Sequence, residues 1–97
     1  MKATLLIKLL SETSKPEMIK LLLKALFTNK EIKELENRIK IFQLLLNGKK
    51  QREISEILNV GIATVTRGAS ALENEDIFKV NSEIIQMLKT NKIDLND

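Results

Sequence analysis

Residues 51–73 read QREISEILNVGIATVTRGASALE, and the rest of the chain is organised around them. Ile54, Ile57, Leu58 and Val60 recur at helical spacing, and so do Ile62, Val65 and Leu72. The two sets meet across Asn59-Val60-Gly61. Asn tolerates a positive φ and Gly61 carries no Cβ, so the chain can reverse there at small steric cost. Ser55 in the first segment and Ala63 in the second are small enough for two helices to cross closely. This is a helix-turn-helix pattern: a supporting helix, a tight turn, and a second helix free to enter a major groove. Helical hairpins with a small residue in the turn also occur as plain core packing. Against that, Ala63, Thr64, Thr66, Arg67 and Ser70 are small or hydrogen-bonding, a set that can lie against base edges and phosphates.

Neither Cys nor His occurs among the 97 residues. Disulfides, thiolate chemistry and Cys/His metal sites are therefore excluded, and the easiest general acid–base group at neutral pH is missing. No nucleophile has an obvious base partner, so the sequence argues against an enzyme and implies neither cofactor nor metal. The net charge of +3 is mild, and contact with nucleic acid must come from local placement of charge. No apolar run approaches the length that spans a bilayer, and no small-residue cleavage site follows the short apolar start. The expectation is a cytoplasmic protein without a membrane partner.

Hydrophobic residues make up 43% of the chain, mostly Leu and Ile, with neither Trp nor Tyr. MKATLLIKLL and MIKLLLKALF are too apolar for a thin monomeric layer of helices and favour a homodimer that buries them. Ala3 to Leu10 reads as a first helix, apolar nearly all round and so buried on several sides. Ser14 and Glu17 have capping-box spacing for a second helix, which Pro16 can open and which runs to Phe27. Thr28 and Glu31 repeat that spacing for a third helix, whose apolar stripe is Ile32, Leu35, Ile39, Phe42, Leu45 and Leu46. Gly48 is placed to end it. Lys49 and Lys50 link it to the helix-turn-helix, near any DNA backbone. Gln51 and Arg52 open the supporting helix, whose N-terminal amides favour a phosphate. Beyond Leu72, ENED reads as a loop, Asn81 as the cap of a last helix with Ile84, Ile85 and Leu88, and TNKIDLND as a tail.

GIATVTRGASALE, preceded by QRE-I and a turn, resembles the DNA-reading head of the bacterial tryptophan repressor family. The resemblance extends upstream through Leu44-Leu45-Leu46-Asn47-Gly48 and Arg38 to Leu26-Phe27-Thr28, covering roughly Leu22 to Glu73. It implies an all-α, intertwined homodimer with a helix-turn-helix head. The chain then forms a single domain: core helices over 1–48, the head over 49–73, and a C-terminal helix and tail over 74–97.

The resemblance also implies a repressor that binds operator DNA when L-tryptophan, its corepressor, is bound. Arg38 and Arg67 match two arginines that sandwich the indole, and a guanidinium stacking on an aromatic face is chemically sensible. Arg67 can also pair with the ligand carboxylate, and Thr28 of the other subunit matches its second anchor. Gly68 matches the glycine that lets the ring approach the backbone, and Ala25 and Phe27 fall where carbonyls receive the ammonium group. Ala71 departs from the family, which often has a serine hydroxyl there. Losing one hydrogen bond to a charged group costs about 1.5–3 kcal/mol, so weaker tryptophan binding or a related indole compound is compatible with the sequence. On the DNA side, Ile62, Ala63 and Thr66 match groove-facing residues, with Thr64 and the turn residue Gly61 nearby, and Gln51 and Arg52 match backbone contacts. Two lysines that family members use near DNA are replaced by Ser55 and Glu73, and the link after Gly48 is one residue shorter. The alternative is a helix-turn-helix DNA-binding regulator that is ligand-independent or answers to another indole.

Overall fold

The computed structural model describes residues 1–74 and 82–91. Six helices lie among them: α1 (Thr4–Glu12), α2 (Pro16–Leu26), α3 (Asn29–Leu46), α4 (Gln51–Leu58), α5 (Ile62–Asn74) and α6 (Ser82–Thr90). The architecture is all-helical, with no strand among the described residues. The chain divides into two compact units, Met1–Glu34 and Leu35–Asp97.

In the first unit, α1 and α2 bury no residue. Leu5, Ile7, Leu9, Leu10, Met18, Leu21 and Leu26 are all exposed in the single chain. The expectation that the first helix is buried on several sides is therefore not met by one chain alone. The predicted Ser14 cap is also corrected: Lys15 is the N-cap of α2, and no side chain caps that end. Pro16 decides this, because a residue before proline is driven to extended backbone, and Lys15 sits at φ −84°, ψ 128°. A groove of about 540 Å³ runs along this unit, lined by Pro16, Ile19, Leu23 and Ile32, with Lys20, Lys24 and Asn29 completing its walls.

The start of α3 behaves as its sequence predicts. The Thr28 backbone N–H donates to Glu31 Oε1 at 2.9 Å, and the Glu31 N–H donates to Thr28 Oγ1 at 3.1 Å. Two donors that the first turn leaves without intrahelical partners are thus satisfied reciprocally.

In the second unit, Ile41 and Leu44 of α3, Ile54 of α4 and Val65 of α5 form the buried core, with Leu45, Leu58 and Val60 packed against it. The predicted stripe of α3 is thereby corrected. Leu35 and Ile39 are exposed, at 45% and 43%, whereas Ile41 is fully buried on another side of the helix. Lys40 and Gln43 join the buried face, at 9% and 6% exposure. Gln43 explains itself by its bonds: its amide nitrogen donates to the Leu88 carbonyl at 2.7 Å and to that of Asn91 at 2.5 Å. It thereby bonds a carbonyl in the last turn of α6 and the carbonyl just beyond that helix.

Two helix ends close alike. At the end of α3, Gly48 has φ 84°, its N–H donates to the Leu45 carbonyl, and the Lys49 N–H donates to that of Leu44, both at 3.0 Å. At the end of α4, Asn59 takes φ 54°, the Asn59 N–H donates to Glu56 at 3.4 Å, and the Val60 N–H donates to Ser55 at 3.2 Å. These are Schellman closures, one with Gly and one with Asn at the left-handed position. The reversal before α5 thus rests on Asn59. Gly61, expected to share it, has no positive φ and open space where a Cβ would stand.

Gly68 is the opposite case. A Cβ there would lie 2.7 Å from Ile41 Cγ2. Ile41 is β-branched and fully buried, so it cannot swing aside cheaply. Gly68→Ala should therefore lower unfolding stability by about 1–3 kcal/mol, while Gly61→Ala should stay within about 0.5 kcal/mol. Urea unfolding followed by circular dichroism checks both.

Candidate functional site

The candidate site is built on α5, where exposure divides the helix lengthwise. Val65, Gly68 and Ala69 are buried, whereas Ile62, Ala63, Thr66, Arg67 and Ser70 are exposed and Thr64 is half-buried. At 100° per residue Ala63, Thr66, Arg67 and Ser70 turn away from the buried set, while Ile62, the first residue of the helix, lies on the side of Ala69 and is exposed all the same. The turn ahead of α5 is held tightly. The Ser55 hydroxyl donates to the Val60 carbonyl at 2.6 Å while the Ser55 carbonyl accepts the Val60 N–H. Ser55 thus spends its side chain on the turn, a role that its assignment to DNA did not include.

The start of α4 stands beside α5. The Thr66 hydroxyl donates to Gln51 Oε1 at 2.9 Å, bringing together two residues that the sequence assigned separately to DNA. The Lys50 N–H donates to Glu53 Oε1 at 3.2 Å, capping α4. Lys49, Lys50 and Arg52 are exposed and Gln51 is half-buried. Between positions 49 and 73, Lys49, Lys50, Arg52 and Arg67 stand against Glu53, Glu56 and Glu73, so the local charge is only slightly positive.

The residues assigned to the ligand divide between the two units. Ala25 and Thr28 are exposed and Phe27 is half-buried in the first. In the second, Arg38 and Ala71 are half-buried, Arg67 is exposed and Gly68 is buried. Arg67 Nη2 donates to Thr64 Oγ1 at 3.5 Å, a long contact that leaves its other donors for further partners. Gly68 packs on Ile41, which supplies a reason for glycine that the sequence alone did not reveal. Ile41 was likewise missed as a determinant of where α5 lies, and Gln43 as the residue that holds the end of α6. Their signal, an apolar and a polar residue two positions apart on different sides of one helix, reads as noise before the partners are known. Among the described residues no group of three His, Cys, Asp or Glu side chains could hold a metal ion, and no helix is long and apolar enough to cross a membrane.

The comparisons with known proteins point one way. The family model described as Trp repressor protein matches residues 2–80. A Trp operon repressor homolog of Xylella fastidiosa (strain 9a5c) is 39% identical over 74 residues, covering 75% of this chain and 80% of that protein. Another from Photobacterium profundum is 39% identical over 70 residues, 71% of this chain and 68% of that protein. One from Aliivibrio fischeri (strain ATCC 700601 / ES114) is 46% identical over 54 residues, 55% of this chain and 50% of that protein. No solved structure gives a significant match.

One titration isolates the Thr28–Glu31 cap. Glu31's carboxyl is held below the ordinary carboxylate range, first by the Thr28 backbone N–H and then by the Thr28 side chain. A depressed folded value stabilises the helix start above the ordinary carboxylate range, and that stabilisation is lost as pH falls through the folded value. Thr28→Ala removes only the second cause, so Glu31 should titrate higher but still below an ordinary glutamate. Carboxyl-carbon NMR titration reads this directly.

Proposed function

The chain belongs to the Trp repressor family, and from that premise we propose that it is a homodimeric transcriptional repressor that binds operator DNA when L-tryptophan occupies it. The observation that carries the reading is the lengthwise division of α5. Ala63, Thr66, Arg67 and Ser70 face outward with Ile62 exposed at the start of the helix, while Val65, Gly68 and Ala69 are turned to the core. Ile62, Ala63, Thr64 and Thr66 meet the major groove, with Gly61 at the groove-side entry to the helix. Gln51, Arg52, Lys49 and Lys50 meet the backbone, and Ser55 serves by locking the turn. Phosphate contacts of this kind position a protein, and base contacts specify its site.

The dimer is supported by what one chain leaves uncovered. Leu5 and Leu21 are 78% and 66% exposed, and Leu35 and Ile39 form an outward stripe on α3. Apolar surface on this scale marks an association surface, and a second copy of the chain meets that need symmetrically. The same association brings Thr28 of one subunit to the ligand of the other. The ligand assignment sets the indole between Arg38 and Arg67, its carboxylate at Arg67 and Thr28, and its ammonium at the Ala25 and Phe27 carbonyls. The family's regulators are not enzymes, and tryptophan acts here as corepressor, with no metal or cofactor in the scheme. A repressor of this kind works in the cytoplasm on genes of tryptophan biosynthesis or uptake.

A second reading, a helix-turn-helix regulator without tryptophan control, is favoured by one observation. Ala71 offers no hydroxyl to an ammonium group. Calorimetric titration of the purified protein with L-tryptophan separates the two. Saturable binding of one tryptophan per subunit supports the first, and no heat supports the second. Under the first reading, Arg67→Ala should abolish tryptophan-dependent DNA binding in a mobility-shift assay. Ala71→Ser should tighten tryptophan about ten- to a hundredfold, the worth of one hydrogen bond to a charged group.

A further inference from the structure

Thr66 on α5 and Gln51 in the first turn of α4 share one hydrogen bond, donated by the Thr66 hydroxyl to Gln51 Oε1 at 2.9 Å. Resting on the DNA-binding reading above, we propose that the pair reads DNA as a single unit of fixed polarity. In it Gln51 offers its amide NH2 to a phosphate, and Thr66 accepts a hydrogen bond from the exocyclic amino group of an adenine or a cytosine.

The polarity follows from a count of protons. A threonine hydroxyl has one proton and two lone pairs, and an unattached one rotates to donate or accept as its partner requires. Here the proton is committed to Gln51, so Thr66 presents lone pairs only. Phosphate oxygens cannot satisfy it, nor can guanine O6 and N7 or thymine O4, because all of these are acceptors. The major-groove donors are the amino groups of adenine and cytosine. Gln51 is the complement. Its planar amide has turned its oxygen to Thr66, which leaves the nitrogen on the diverging limb as a donor with two protons. A phosphate oxygen accepts such a donor, and a base acceptor is not needed. Thr66 is exposed and Gln51 half-buried, so both remain within reach of a docked duplex. The nearest carboxylate in sequence, Glu53, accepts from the Lys50 N–H and leaves the Gln51 amide to its own partner. Specificity at one base pair thus depends on a residue that touches only the backbone: Gln51 is a positioning residue for Thr66.

The experiment uses the full chain with L-tryptophan and a pool of randomised duplex DNA, enriched by binding and sequenced. Wild type and Thr66→Ser should select adenine or cytosine at one position, and Thr66→Val should lose that preference. Gln51→Ala should widen the same position to admit guanine and thymine, since the freed hydroxyl can then donate. On the wild-type consensus duplex, Gln51→Ala and Thr66→Val should each weaken binding by about tenfold, and the double variant should lose less than the product. Thermal melts of all variants should match wild type, because the bond lies at the surface. A Gln51→Ala variant that keeps the wild-type base preference, single losses that multiply in the double variant, or no position that responds to Thr66→Val would each overturn the proposal. A pool that enriches no duplex, with or without tryptophan, would instead overturn the DNA-binding reading beneath it.

Discussion

The close approach of α5 to α3 at Gly68 and Ile41 is the constraint on which the second unit depends. A Cβ at position 68 would stand 2.7 Å from Ile41 Cγ2, so the distance between the two helices is set by an absent side chain. Ile41 is fully buried and β-branched, with few conformations to offer. Once Gly68 is seated, Val65 and Ala69 are carried inward with it, and Ile54 of α4 completes the contact. Helical geometry does the rest. With positions 65, 68 and 69 inward, positions 63, 66, 67 and 70 must face outward. The interaction that packs the core is therefore also the one that aims the candidate reading face.

The turn adds a second constraint of a different kind. Close packing fixes where α5 lies, whereas the Asn59 closure fixes how the chain arrives there. Ser55 is bonded to Val60 twice, through its carbonyl and through its hydroxyl. Under the proposed DNA-binding reading, a serine in place of a long basic side chain gives up a charge near the DNA. In return the end of α4 and the entry to α5 are tied more rigidly, and less conformational entropy is left to lose on binding.

How much of this could be read from the sequence depends on whether the signal was local. The Thr28–Glu31 cap and the Gly48 closure are local, made by residues within five positions of each other, and both appear as expected. The α4–turn–α5 segment was legible for the same reason, although the reversal belongs to Asn59 alone. The non-local features were not legible. Proline stereochemistry overrode the Ser14 spacing, and the regular apolar stripe of α3 is exposed at Leu35 and Ile39, while Ile41 and Leu44 beside it are the residues buried. Gln43 reads as a surface residue until the carbonyls of Leu88 and Asn91 arrive 45 and 48 residues later to occupy its amide. At the candidate site, the Thr66–Gln51 bond was hidden because each residue had an acceptable role by itself.

Gly68 also changes how the ligand assignment should be weighed. The family resemblance credits this glycine to the indole ring, yet its missing Cβ is already required by Ile41. A glycine demanded by packing would be kept in a relative that binds no ligand at all, so it cannot separate the tryptophan-gated reading from the ungated one. The arginines can. Arg38 is half-buried on α3 and Arg67 is exposed on α5, and neither belongs to the core cluster of the second unit. The core cluster uses neither guanidinium group, whereas the proposed ligand would use both, its aromatic ring between them and its carboxylate at one of them. The weight of the corepressor reading therefore rests on Arg38 and Arg67.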